Sequence, residues 1–127
     1  MAAEIDAEVE NFKQIQAQLN SVRTDLQTVL GQLTENEMVQ KELELVDSSA
    51  NVYKMVGPVL IKNSLEDARD TVSKRLEFIT AERDRLEAKS KELETKGGEI
   101  ATKVQQMQAA LQQATVAAVN EVAKQAA

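Results

Sequence analysis

The sequence predicts a mainly α fold: a long antiparallel two-helix coiled coil joined by one short β-hairpin. Three observations lead there. From Ile5 the positions spaced alternately three and four apart read Ile5, Glu8, Phe12, Ile15, Leu19, Val22, Leu26, Val29, Leu33, Asn36, Gln40 and Leu43, and nine of these twelve are apolar. From Leu65 the same spacing runs through Val72, Leu76, Ile79, Leu86, Leu93, Ile100, Val104, Met107, Leu111, Ala114 and Ala118, broken only by Arg69, Arg83, Ser90 and Gly97. Such ladders are coiled-coil seams. Between them lies an insert, Val52 to Lys62, rich in β-branched residues and holding the sole proline, Pro58. Two seams on either side of so short a connection fold back on each other as one domain over residues 1–127.

Helix one is predicted from about 5 to 46. Gly31 inside it costs about 1 kcal/mol relative to Ala, which a long seam absorbs. Toward its end Met38, Val39, Leu43, Leu45 and Val46 spread beyond one stripe, so this part is expected to be covered on more than one side. Asp47-Ser48-Ser49-Ala50-Asn51 then stops the helix, because these side chains compete for backbone hydrogen bonds.

The insert, about 52–62, reads as two strands around Gly57-Pro58. Gly in the first central position accepts a positive φ and Pro in the second supplies about −65°, which suits a type II′ turn. A hydrophobic loop tucked against the coil is the competing reading. An isolated two-stranded hairpin is only marginally stable in water. Here both outer edges are unpaired, and Val52, Tyr53, Met55, Val56, Val59, Leu60 and Ile61 place apolar side chains on both faces. The hairpin, with Gly57 and Pro58 at its tip, is therefore the expected assembly surface.

Helix two is predicted over about 64–118. Ser64 suits an N-cap, and Glu66 and Asp67 suit the positive end of the helix dipole. With the hairpin as the bend, facing positions have numbers that sum to about 111, which sets Leu33 near Ile79, Leu26 near Leu86, Leu19 near Leu93 and Phe12 near Ile100. Arg83 and Ser90 fall near Val29 and Val22 and are polar seam positions of the kind that hold register. Gly97-Gly98 is the poorest local fit, costing about 2 kcal/mol against two alanines; a hinge and a merely tolerant site are both open readings. The Gln- and Ala-rich end of the chain has no partner on helix one, and Val116, Val119 and Val122 at helical spacing leave an unpaired apolar stripe there; it reads either as a tail that frays after 118 or as a surface for non-native chains.

Composition excludes several functions. With no His and no Cys among 127 residues, the commonest general base, metal ligand and nucleophile are missing, so no enzyme, metal site or cofactor is expected. Paired carboxylates such as Glu42 with Glu44, or Glu92 with Glu94, lie two apart on a helix and face different ways. A net charge of −6 argues against nucleic acid and anionic membranes, and against an RNA-gripping arm. The start of the chain has neither the basic nor the apolar character of a targeting peptide, and no stretch approaches a membrane span. A soluble intracellular protein is the expectation.

Three segments carry a family resemblance: Leu33-Thr34-Glu35-Asn36 with Val39 and Glu42-Leu43; Val52 to Lys62 with its Gly-Pro tip; and Lys74-Arg75-Leu76-Glu77-Phe78-Ile79. Over this middle third the chain resembles the β-type subunits of prefoldin. The resemblance implies one hairpin where α-type subunits carry two, and a heterohexamer of α- and β-type subunits whose hairpins join into β-barrels. It implies a cytoplasmic, ATP-independent chaperone that captures unfolded proteins, notably actin and tubulin, and delivers them to the cytosolic chaperonin. Client contact is expected at the end away from the hairpin, on apolar residues the seam leaves incompletely covered: Ile5, Val9 and Phe12 from helix one, Val104, Met107 and Leu111 from helix two. Met107 adds adaptable surface. The alternative is a structural coiled-coil scaffold or tether, which has no need of a β insert.

Overall fold

The computed structural model describes residues 2–127 and runs α1 (Ala2–Leu45), β1 (Val52–Val56), β2 (Val59–Asn63) and α2 (Leu65–Ala126). The local signals act as the side chains dictate. Past α1, the Asp47 carbonyl accepts from the Ala50 N–H at 2.9 Å, and its carboxylate accepts from the Ser49 N–H at 3.3 Å, so the Asp-Ser-Ser run closes a turn instead of another helical rung. These contacts hold the Asp47 carboxyl below its ordinary range, the Ser49 backbone N–H contributing most. Ser64 caps α2: its Oγ accepts from the Asp67 N–H at 3.0 Å and its carbonyl accepts the first helical bond from Ala68 at 3.0 Å.

The hairpin-bearing unit comprises Arg23–Ala88. Its core is a single seam, in which Val29 and Leu33 of α1 and Ala68, Val72, Ile79 and Leu86 of α2 are buried. Arg69, a break in the apolar ladder, has a use there. Its Nε and Nη2 both donate to the Leu43 carbonyl, at 3.1 and 2.8 Å. That carbonyl lies in the last turn of α1, which contains no basic residue of its own; the guanidinium satisfies an orphan acceptor and sets a cation at the negative end of the helix. Arg83 turns aside to Asp84 at 3.0 Å, leaving Val29 buried in the seam.

The second unit comprises the chain up to Val22 together with Lys89–Ala127. Ile5, Leu19 and Leu93 are its buried apolar residues, and Leu93 is the most enclosed side chain at 1 % exposure. Lys103 Nζ bonds Glu8 Oε1 across the helices at 2.9 Å. This pair, like Arg69 with Leu43, falls on the facing register of about 111 that the seams predict.

Of the two readings left open at Gly97-Gly98, the structure shows no break: α2 is continuous there, with Gly97 buried and Gly98 exposed. Packing from Phe12 and Ile15 supports the weak spot on one side. One expectation needs correction: α2 does not end near 118. It continues to Ala126, because beyond Gly98 the sequence has no further Gly or Pro and is dense in Ala and Gln, both good helix formers.

Candidate functional site

The strands pair antiparallel with Val52 opposite Asn63, Tyr53 opposite Lys62, Lys54 opposite Ile61, Met55 opposite Leu60 and Val56 opposite Val59. Only Gly57 and Pro58 remain in the turn. Gly57 has φ +58°, and no non-Gly residue among those described has a positive φ, so Pro58 follows with the negative φ of the predicted type II′ turn. A Cβ at Gly57 would meet nothing within 4 Å; backbone conformation, not space, requires glycine there.

Alternation along the strands sorts the hairpin into two faces. Val52, Lys54, Val56, Val59 and Ile61 share one; Tyr53, Met55 and Leu60 share the other. Both faces are bare. Met55 is 72 % exposed and Leu60 60 %, and Tyr53, Val56, Val59 and Ile61 are also exposed, with Val52 half-buried. The sheet has two strands, so each presents an outer edge of unpaired backbone groups. Bare apolar faces and two open edges in one ten-residue element form a surface made for strand addition. At its root the hairpin meets the coil in a groove where Val52 and Tyr53 approach Val39 and Leu43. Met38, Val39 and Leu45 on the last turns of α1 are exposed, in line with their spread beyond one stripe.

In the other unit, Val9, Phe12, Val104, Met107 and Leu111 are half-buried. Ile5 is not open as expected: it is 7 % exposed. The reason is the length of α2. It runs well past the position facing Ile5, so Ile5 lies inside the seam, one turn from the Glu8–Lys103 pair. The widest apolar exposure in this unit is instead Val116, Val119 and Val122, the stripe at helical spacing that has no partner on helix one. Gln16, Ile15 and Phe12 surround Gly97, which ties Phe12 to the seam on one side.

Some of the helix charges pair locally. Arg85 binds Glu82, and Lys96 binds Glu92 at 2.9 Å with Lys89 at 3.7 Å. These hydrogen bonds hold both carboxyls below their ordinary value, Arg85 acting on Glu82 and chiefly Lys96 on Glu92. Among the described residues no three metal-ligating side chains converge, and no helix is long and apolar enough to cross a membrane.

The family model for prefoldin subunits matches residues 6–115. Prefoldin subunit 6 of Mus musculus and of Homo sapiens are each 46 % identical over 85 residues, covering 67 % of this chain and 67 % and 66 % of theirs; the match thus spans about two thirds of those relatives. Prefoldin subunit 6 of Arabidopsis thaliana is 56 % identical over 57 residues, 45 % of this chain and 44 % of its own. Among solved structures, the prefoldin beta subunit from Thermococcus strain KS-1 superposes with a TM-score of 0.78 at 27 % identity, over 82 % of this chain and 91 % of that one. With one hairpin between two paired helices, the chain belongs to the prefoldin subunit family, as a β-type chain similar to prefoldin subunit 6.

Proposed function

We propose that this chain is one subunit of a heterohexameric chaperone of the cytosol, which holds unfolded proteins, actin and tubulin among them, without ATP and passes them to the cytosolic chaperonin. The observation that carries the reading is the hairpin. Six apolar residues between Tyr53 and Ile61 are exposed in the isolated chain, on a two-stranded sheet that has little stability of its own. Joining such hairpins edge to edge removes that surface from water and completes the strand hydrogen bonds. The half-buried residues Val9, Phe12, Val104, Met107 and Leu111 supply the client-facing end, without Ile5, which the seam encloses. An unfolded client offers apolar side chains without fixed shape, so adaptable surface serves it better than a shaped pocket.

Leu60→Asp tests the joint. Leu60 is exposed in the free chain, so helicity and melting should change little. In the assembly the charge would be buried without a partner, at a cost of about 3–5 kcal/mol. Co-expressed with prefoldin-family partners, the variant should drop out of the particle on a native mass measurement. Recovery of the variant at full stoichiometry would defeat the reading.

A further inference from the structure

One flank of α2 in the hairpin-bearing unit carries a strip that the fold leaves bare. Thr71, Lys74, Arg75 and Phe78 follow at spacings of three and four and so share a helix face. Phe78 is 71 % exposed, an unusual position for a phenylalanine on a coil whose seam has room for apolar residues elsewhere. It lines a shallow groove together with Thr71 and Arg75, and those two residues also line the groove at the root of the hairpin, beside Val52 and Tyr53. The strip is thus continuous with the hairpin surface. Lys74 and Arg75 make no ion pair among the described residues, on a chain whose net charge is −6.

We infer that the strip around Phe78, Lys74 and Arg75 is a second part of the assembly interface, covered by an acidic segment of the neighbouring prefoldin-family subunit that also offers Phe78 an apolar side chain. The inference rests on the assembly reading above and extends it from the hairpin onto the coil. Continuity with the hairpin selects an assembly partner over a client. Charge selects its chemistry: two cations without counter-charges beside a bare aromatic ring call for carboxylates at the edge of an apolar contact. A second copy of this chain in a two-fold contact centred on the strip would set Lys74 and Arg75 against their own equivalents, which repel.

The full chain is co-expressed with the prefoldin-family chains of its own organism, as wild type, Phe78→Ala, Lys74→Glu/Arg75→Glu, and Leu60→Asp as the hairpin control. Dissociation on dilution is followed by native mass measurement. Phe78→Ala and the charge reversal should each raise the concentration at which the particle falls apart by about tenfold or more. The effect of the charge reversal should shrink as salt rises from about 50 to about 500 mM. Melting of the isolated chain should hardly move, since these side chains are exposed. A photocrosslinker, Phe78→p-benzoylphenylalanine, should link to a different family chain within the particle. If Leu60→Asp breaks the particle while the Phe78 and charge variants dissociate as wild type, the inference is overturned and the assembly reading stands. If Leu60→Asp also leaves the particle intact, both fall. A crosslink found only to a second copy, or only to a client, overturns the inference as well.

Discussion

Replacing Gly97 by Ala should stabilise the isolated chain, and by more than replacing Gly98. Each glycine in a helix interior costs about 0.8–1.0 kcal/mol relative to Ala, and either substitution recovers that. The surroundings then separate them. A Cβ at Gly97 would lie 3.6 Å from Ile15 Cγ2 and Gln16 Nε2 and 3.9 Å from Phe12 Cε2, whereas nothing lies within 4 Å of one at Gly98. Those are ordinary contact distances, so the added methyl at buried Gly97 fits, and its removal from water contributes about 0.8 kcal/mol more. The expected gains are about 1.5–2 kcal/mol for Gly97→Ala and about 1 kcal/mol for Gly98→Ala. At roughly 3–5 °C per kcal/mol for a chain of this size, the melting temperature rises by about 5–10 °C and 3–5 °C respectively. Far-UV circular dichroism melts at concentrations too low for self-association would read this, with amide hydrogen exchange over 99–104 as a local check. A larger side chain reverses the sign: Gly97→Leu overpacks the seam and costs about 1–3 kcal/mol. A lower melting temperature for Gly97→Ala would refute the packing described here, and equal gains at both positions would remove the burial contribution.

Arg69→Ala removes both donors from the Leu43 carbonyl and should cost about 1 kcal/mol, with hydrogen exchange accelerating in the last turn of α1; Arg69→Lys restores only part, since a single ammonium replaces a fork. Acid should weaken the helices through Glu82 and Glu92. Their folded pKa values lie below the ordinary 4.5, so the stability they add is complete above that pH and is lost as pH falls through the lowered values. Glu82→Gln with Glu92→Gln should flatten the pH dependence of melting in that window by lowering the melting temperature slightly at neutral pH, where the charged pairs contribute in full, and changing little in acid. Deleting 1–12 together with 104–127 retains the seam from Ile15 to Leu93 and the hairpin, so the reconstituted particle should assemble yet suppress aggregation of denatured clients less well, to a degree that varies with the client; unchanged activity for every client, or failure to assemble, would count against the client-facing assignment.

The two seams, the bend and the register were legible because each rests on local chemistry or strict spacing. Ser64 had to cap, Gly57 had to take a positive φ, and a three-four ladder admits one facing stripe. What escaped depends on how far a helix runs and how closely its neighbour packs. Ile5 heads the ladder in sequence and lies inside the seam, opposite a part of α2 near 106 that the register already supplies; how tightly the two helices close there is not read from spacing. The tail reads as too weak to hold helix alone, yet its Ala content carries α2 to Ala126. Arg69 reads as an interruption, and nothing in the spacing reveals that its guanidinium turns back to the end of α1. Phe78 stands one residue before the seam position Ile79 and two after Leu76, so the ladder itself sets it off the seam; what periodicity does not supply is what covers a phenylalanine placed there.

A mirror-like register also sets a timetable for the nascent chain. Leu43 finds Arg69 after 26 further residues, but Glu8 must wait for Lys103, 95 residues on. At about 5–20 residues per second of synthesis, the apolar stripe of early α1 stays single for roughly 5–20 s before its partner exists. During that interval the nascent subunit displays the kind of surface that chaperones recognise. Under the proposed function, such a chain would while being made resemble the clients it is later to hold.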